Sequence, residues 1–96
     1  VNQHLKFKFR LYVAGGTPNS VQAVANLKSI CRAHLPDRHE IEIVDVFREP
    51  KRALADGIYM TPMLVKLAPA PVQTILGTLS QTEALLQALE LETFAA

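Results

Sequence analysis

Lys6-Phe7-Lys8-Phe9-Arg10-Leu11-Tyr12-Val13, followed by Ala14-Gly15-Gly16-Thr17-Pro18-Asn19-Ser20, decides the fold. The first eight residues alternate charged and apolar side chains until the last few, the period of two that marks a β-strand with one strongly buried face. Ala14-Gly15-Gly16 breaks the strand. Thr17 then offers an N-cap hydroxyl, and Pro18 has a backbone angle preset for the first helical position. Val21, Val24, Leu27, Cys31 and Leu35 recur at steps of three and four, which predicts a helix with one stripe facing a core. Pro36-Asp37 ends it.

Further along, Ile41-Glu42-Ile43-Val44-Asp45-Val46-Phe47 is rich in β-branched residues and turns from alternating to mostly apolar, as expected of a strand entering a sheet interior. Pro50 opens a short helix through Ala53, Leu54 and Ala55, and Gly57 closes it in the left-handed conformation. Met63-Leu64-Val65-Lys66-Leu67 and Val72-Gln73-Thr74-Ile75-Leu76 read as two strands separated by Pro69-Ala70-Pro71. Ser80 and Glu83 have the spacing of a capping box, with Leu79 and Ala84 as its staple, so a last helix is predicted to start there and to bury Leu85, Leu86 and Leu89. The order βαβαββα is that of the α/β, thioredoxin-like fold. Thr61-Pro62 falls where that fold carries a cis-proline before its third strand, which gives Pro62 a structural role. Fold alone does not assign function.

The 96 residues suit one domain over 1–96, with 49% hydrophobic and 20% charged residues, a globular composition. A formal charge of +1 gives no concentrated basic face for nucleic acid or an anionic membrane. No apolar run approaches the roughly 20 residues of a membrane span, and no signal peptide opens the chain, so a cytoplasmic protein is expected. The lone Cys31 fits a reducing compartment.

Thioredoxin chemistry requires a low-pKa cysteine at the amino end of the first helix and a resolving cysteine three residues on. The loop Gly15 to Ser20 has neither, and Cys31 lies roughly 20 Å down the helix, as a small core residue. Cys31, His34 and His39 lack a fourth ligand for a closed zinc site. Gly15-Gly16 before a helix could hold an anion, yet no P-loop lysine or dinucleotide fingerprint accompanies it. Ser20 or Tyr12 could serve a glutathione site, although such enzymes normally add a second domain. Asp45 reads as a hydrogen-bonded structural carboxylate. No catalytic constellation, metal site or cofactor site emerges, and the chain reads as a binding module, not an enzyme.

Leu11-Tyr12-Val13-Ala14-Gly15-Gly16-Thr17-Pro18-Asn19-Ser20 closely resembles the first strand and turn of KaiB proteins, whose pattern reads LYVAGNTPNS. The similarity resumes from Asp45-Val46 through Pro50, Asp56, Ile58, Thr61-Pro62, Leu64, Lys66, Pro69, Pro71-Val72, Ile75, Gly77 and Leu79-Ser80, and so covers nearly the whole chain. The resemblance implies a small circadian-clock adaptor that docks on a KaiC-type ring ATPase, helps sequester a KaiA-type activator and competes with the KaiB-like domain of a sensor kinase. It also implies interconversion between the thioredoxin-like fold, which binds the ATPase, and a self-associating ground-state fold, so a homo-oligomer is possible. On this reading the partner-binding face includes Gly15, Gly16, Thr17, Pro18, Asn19, Ser20, Lys66, Pro69 and Pro71, with Arg48 and Lys51 steering the encounter.

Three departures from the family matter. Gln73 and Thr74 stand where the family often has basic residues. The chain closes on Leu91-Glu92-Thr93-Phe94-Ala95-Ala96 without the acidic tail common in cyanobacterial members. Ala88 aligns with a family glycine in the segment that changes fold, and alanine favours helix over glycine by about 1 kcal/mol. The thioredoxin-like fold is therefore expected to dominate, with Ala88 as the determinant. Two other functions stay open: a KaiB-like stress or signalling adaptor outside a full clock, and a degenerate thioredoxin-like or glutathione-binding protein.

Overall fold

A computed structural model describes residues 6–89. The tail quoted above, with Phe94, lies outside them. Four strands, β1 (Phe7–Val13), β2 (His39–Asp45), β3 (Met63–Ala68) and β4 (Gln73–Leu76), alternate with three helices, α1 (Pro18–His34), α2 (Pro50–Ala55) and α3 (Thr82–Ala88). The sheet order is β2-β1-β3-β4, with β1 parallel to β2 and antiparallel to β3, and β3 antiparallel to β4. This is the thioredoxin-like fold.

The alternation in β1 sorts the two faces. Phe7, Phe9, Leu11 and Val13 join Ala23, Leu27, Ile30 and Cys31 of α1 and Leu85 and Leu86 of α3 in one buried cluster. Lys8, Arg10 and Tyr12 point the other way: Lys8 is exposed, whereas Arg10 and Tyr12 reach Asp56 at the end of α2. Truncating a core member such as Leu27, 1% exposed, to alanine removes packing worth about 2–5 kcal/mol.

Several local expectations are corrected. The buried stripe of α1 runs through Ser20, Ala23, Leu27, Ile30 and Cys31, while Val21 is 56% exposed. Pro18 holds its place at the helix start, but the Thr17 hydroxyl makes no capping bond. The Thr17 backbone N–H instead donates to Ala14 O at 3.2 Å, closing a tight turn. β2 is an edge strand with one neighbour, and it starts and stops two residues earlier than its apolar run suggests.

The capping box is also absent. Leu79 takes a positive φ of 64° with its side chain buried, which turns the chain at the point where the helix was expected to begin. Ser80 Oγ accepts from Thr78 Oγ1 at 3.1 Å, and α3 starts at Thr82 with no side-chain cap. Its seven residues depend on the Leu85, Leu86 and Leu89 contacts, since helices this short are not stable alone. The Thr61–Pro62 peptide is cis, as are Ala68–Pro69 and Ala70–Pro71. Among the described residues no helix is long and apolar enough to cross a membrane.

Candidate partner-binding surface

At the carboxyl end of β1 the chain makes the glycine turn into α1, and the end of β2 lies beside it. Asp45 ties the two together. Its Oδ1 accepts the Gly15 N–H at 3.2 Å and the Phe47 N–H at 2.9 Å, as befits a structural carboxylate. Val46 N–H adds a 2.8 Å bond to Val13 O. Gly15 has φ +54°, and a Cβ there would come within 3.2 Å of the Phe47 ring, so both backbone and space favour glycine. Ser20 is buried and accepts the Ala14 N–H on Oγ at 3.0 Å.

Residues 46–62 then connect β2 to β3 through α2, and they carry a concentration of exposed large apolar side chains. Phe47 is 70% exposed, Leu54 69%, Tyr59 85% and Met60 59%. Arg48 and Lys51 are exposed among them. Exposed apolar residues are ordinary one at a time, and this connection carries four of them.

Two turns of helix cannot hold such a surface unaided. Ala53 is buried beneath it, and a lattice of polar contacts grips the sheet side. Arg10 Nε lies 2.7 Å from Glu42 Oε1, and Arg52 Nη2 lies 2.9 Å from Glu42 Oε2. The Tyr12 hydroxyl donates to Asp56 Oδ2 at 2.7 Å and faces Arg10 Nη1 at 3.4 Å. Hydrogen bonds from Arg10 and then Arg52 hold the Glu42 carboxyl below the usual carboxylate range. Tyr12 titrates above an ordinary tyrosine, first because it is desolvated and second because Asp56 accepts its proton in a hydrogen bond. Arg10 is held more firmly protonated, chiefly by Tyr12 and Glu42.

The residues assigned to a binding face by sequence do not form one surface. Tyr12 pairs with Met63 and Lys8 with Ala68, so the Gly15 turn and the Pro69–Pro71 turn sit at opposite ends of the sheet. The length of β3 separates them, about 20 Å for its six residues. Gly16, Thr17, Pro18 and Asn19 are exposed, as are Arg48 and Lys51 on the same end, and Pro71 is exposed at the other. Pro62 is buried where β3 begins. Lys66 is corrected outright: it is 0% exposed, on the helix-covered face, with Nζ 5.9 Å from the Phe7 ring centroid. Here it presents nothing to a partner. Ser20, equally buried, is a turn-builder.

Sequence reading missed Phe47, Leu54, Tyr59 and Met60. Their signal was present: Tyr59-Met60 follow a helix-closing glycine and precede Thr61-Pro62, with no periodicity that would bury them. Thiol chemistry finds no support, because burial pushes Cys31 up to about 12, far from a reactive thiolate. Among the described residues no three His, Cys, Asp or Glu side chains gather as metal ligands.

Comparison with known proteins places these observations. The fold is shared with chloroplastic thioredoxin z, at TM-score 0.76 and 14% identity over 92% of this chain and 80% of that one. The N-terminal domain of Synechococcus elongatus SasA superposes with TM-score 0.70 and 24% identity over 90% and 85%. In sequence, the circadian clock protein KaiB3 of Synechocystis sp. is 43% identical over 82 residues, 85% of this chain and 80% of that protein. The circadian clock oscillator protein KaiB of Rippkaea orientalis is 41% identical over 91 residues, 95% and 88% of the two chains. With the KaiB domain matched over residues 10–91, the chain belongs to the KaiB family of circadian clock proteins.

Proposed function

We propose that this protein is a non-catalytic adaptor that docks on a KaiC-type ring ATPase and modulates its phosphorylation or ATPase cycle. It helps sequester a KaiA-type activator and competes with the KaiB-like domain of a sensor kinase. The observation that carries this reading is the set of exposed apolar side chains Phe47, Leu54, Tyr59 and Met60 on the β2–β3 connection, with Arg48 and Lys51 exposed in the same segment. Specific protein interfaces bury apolar and aromatic side chains inside a polar rim, and their hot spots are enriched in tyrosine, tryptophan and arginine. The clock names of its relatives, and a helix-one start without a thiol, support affinity for protein as the activity.

The test is co-elution with the KaiC-type ATPase of the same genome, at several concentrations, in ATP and in ADP. Complex formation that depends on nucleotide is expected, and Phe47→Ser or Tyr59→Ser should weaken it by about tenfold or more, as loss of a hot-spot aromatic does. No complex in either nucleotide overturns the reading. A complex indifferent to both substitutions moves the docking surface elsewhere.

A further inference from the structure

α1 does not cover the whole of the sheet face on which it packs. Ile43 pairs with Leu11, so both side chains leave the sheet on the same face, yet Leu11 is 0% exposed and Ile43 39%. The edge strand β2 runs out from under the helix, and a groove of about 460 Å³ opens there, lined by Ile43, by the buried Val13 and Ser20, and by Val21, Val24 and Lys28 of α1. Small-molecule sites have volumes of about 300–1,000 Å³. The groove lies away from both ends of the described chain. Asn26 Nδ2 donates to Thr78 O on the side of α1 that faces the β4–α3 turn, and Val24 and Lys28, two residues to either side, project about 200° round the helix from it. Val13 and Ile43 stand at the carboxyl ends of their strands, the length of β1 from Lys6.

The lining selects one kind of occupant. Four branched aliphatic side chains meet two polar ones, and Ser20 is engaged, its Oγ accepting the Ala14 N–H at 3.0 Å. Lys28 is exposed and, among the described residues, makes no ion pair. α1 contains no acidic residue, and Arg32 adds a second positive charge one turn beyond Lys28. Glu40 and Glu42 are turned to the opposite face of the sheet, where they pair with Lys8 and Arg10. A sugar or nucleotide would leave polar groups unpaired against these walls, and a cation would meet Lys28 with like charge.

We propose that the groove binds a medium-chain fatty carboxylate, with its hydrocarbon chain along Val21, Val24 and Ile43 and its carboxylate at Lys28. From Val21 to Lys28 the helix advances about 10 Å, the extent of a chain such as decanoate. The methyl end lies toward Gly15, because Asp45 is bonded there and would repel a carboxylate. The site uses none of Phe47, Leu54, Tyr59 and Met60, and it stands whether or not an ATPase binds the β2–β3 connection.

Titration of the isolated, isotope-labelled protein with sodium decanoate tests it. The amide resonances of Val13, Ser20, Val21, Val24, Lys28 and Ile43 should shift in a saturable way. Decylamine, the same chain with the opposite charge, should bind roughly tenfold or more weakly. Lys28→Gln removes the charge at an exposed position and should weaken decanoate by roughly threefold to tenfold while leaving decanol unaffected. Val21→Glu, at a position 56% exposed, sets a carboxylate against the chain and should abolish decanoate binding with the circular dichroism spectrum unchanged. Phosphatidylglycerol vesicles, which offer acyl chains only within a bilayer, should not co-sediment with the protein. The absence of saturable shifts at millimolar decanoate overturns the proposal. So does equal affinity for decylamine, decanoate binding that survives unchanged in Lys28→Gln or Val21→Glu, or capture by the vesicles that depends on Lys28. Each of these failures leaves the docking of an ATPase on the β2–β3 connection untouched.

Discussion

The Tyr12 hydroxyl and the Asp56 carboxylate meet at 2.7 Å, joining the central strand to the residue that closes α2. Tyr12 is 2% exposed, so its ring packs while its one polar atom seats the short helix. Tyr12→Phe keeps the ring and deletes the hydroxyl. Asp56 retains Arg10 and Arg52 nearby, at 4.0 and 3.9 Å, so the expected loss is about 1 kcal/mol, that of one net hydrogen bond. In urea unfolding this lowers the midpoint with the slope unchanged. Amide exchange should accelerate in α2 before α1, because the bond anchors only the former.

Glu42 makes the same surface sensitive to acid. Hydrogen bonds from Arg10 and Arg52 depress its pKa in the folded protein, so its contribution is present above the unfolded value, about 4.3, and is lost as pH falls through the lower folded value. Urea midpoints measured from pH 7 to pH 3 should fall below about pH 4.3, and Glu42→Gln should flatten that fall. Its carboxylate is about half exposed, so screening keeps the effect small and 0.5 M salt should shrink it further. An acid limb unchanged in Glu42→Gln would assign the sensitivity to other carboxylates.

Lys66 separates a core role from a docking role. Its 0% exposure and its approach to Phe7 make Lys66→Ala a cavity-forming substitution, expected to cost about 2 kcal/mol or more in thermal or urea unfolding. An exposed docking lysine would instead leave stability unchanged and alter partner affinity alone. The contrast partner is Lys51, exposed in α2, for which Lys51→Ala should leave the unfolding midpoint within about 0.5 kcal/mol of wild type.

These residues also explain what could be read from the chain. Element order and the core face of β1 were legible because Phe7, Phe9, Leu11 and Val13 alternate with residues that belong in water or under α2. Lys66 was not legible as core, since lysine is almost never fully buried and its charge argues for solvent. The two-ended arrangement of Gly15 and Pro69 depends on the β1–β3 register, a long-range property that local pattern does not encode. Ser80 and Glu83 have a helix-start spacing, but the left-handed turn at Leu79 spends those residues on a loop instead. The exposed apolar side chains are a related case: apolar residues are ordinarily assigned inward, and only the missing periodicity around Tyr59-Met60 signals that they stay outside.

Ala88 bears on whether this fold is held alone. It is the last residue of α3, exposed, on a helix of only seven residues whose start has no side-chain cap. Glycine in its place loses up to about 1 kcal/mol of helix propensity, roughly a fivefold change in the balance between α3 and any competing conformation of the same segment. Ala88→Gly is therefore expected to lower hydrogen-exchange protection in α3 while leaving β1 unchanged, and to bring up a second set of amide resonances from Ser80 to Leu89. The competing conformation must lie within reach of that small shift for the second set to appear. A single set with undiminished protection would mean that the Leu85, Leu86 and Leu89 contacts, not helix propensity at Ala88, hold the segment in this fold.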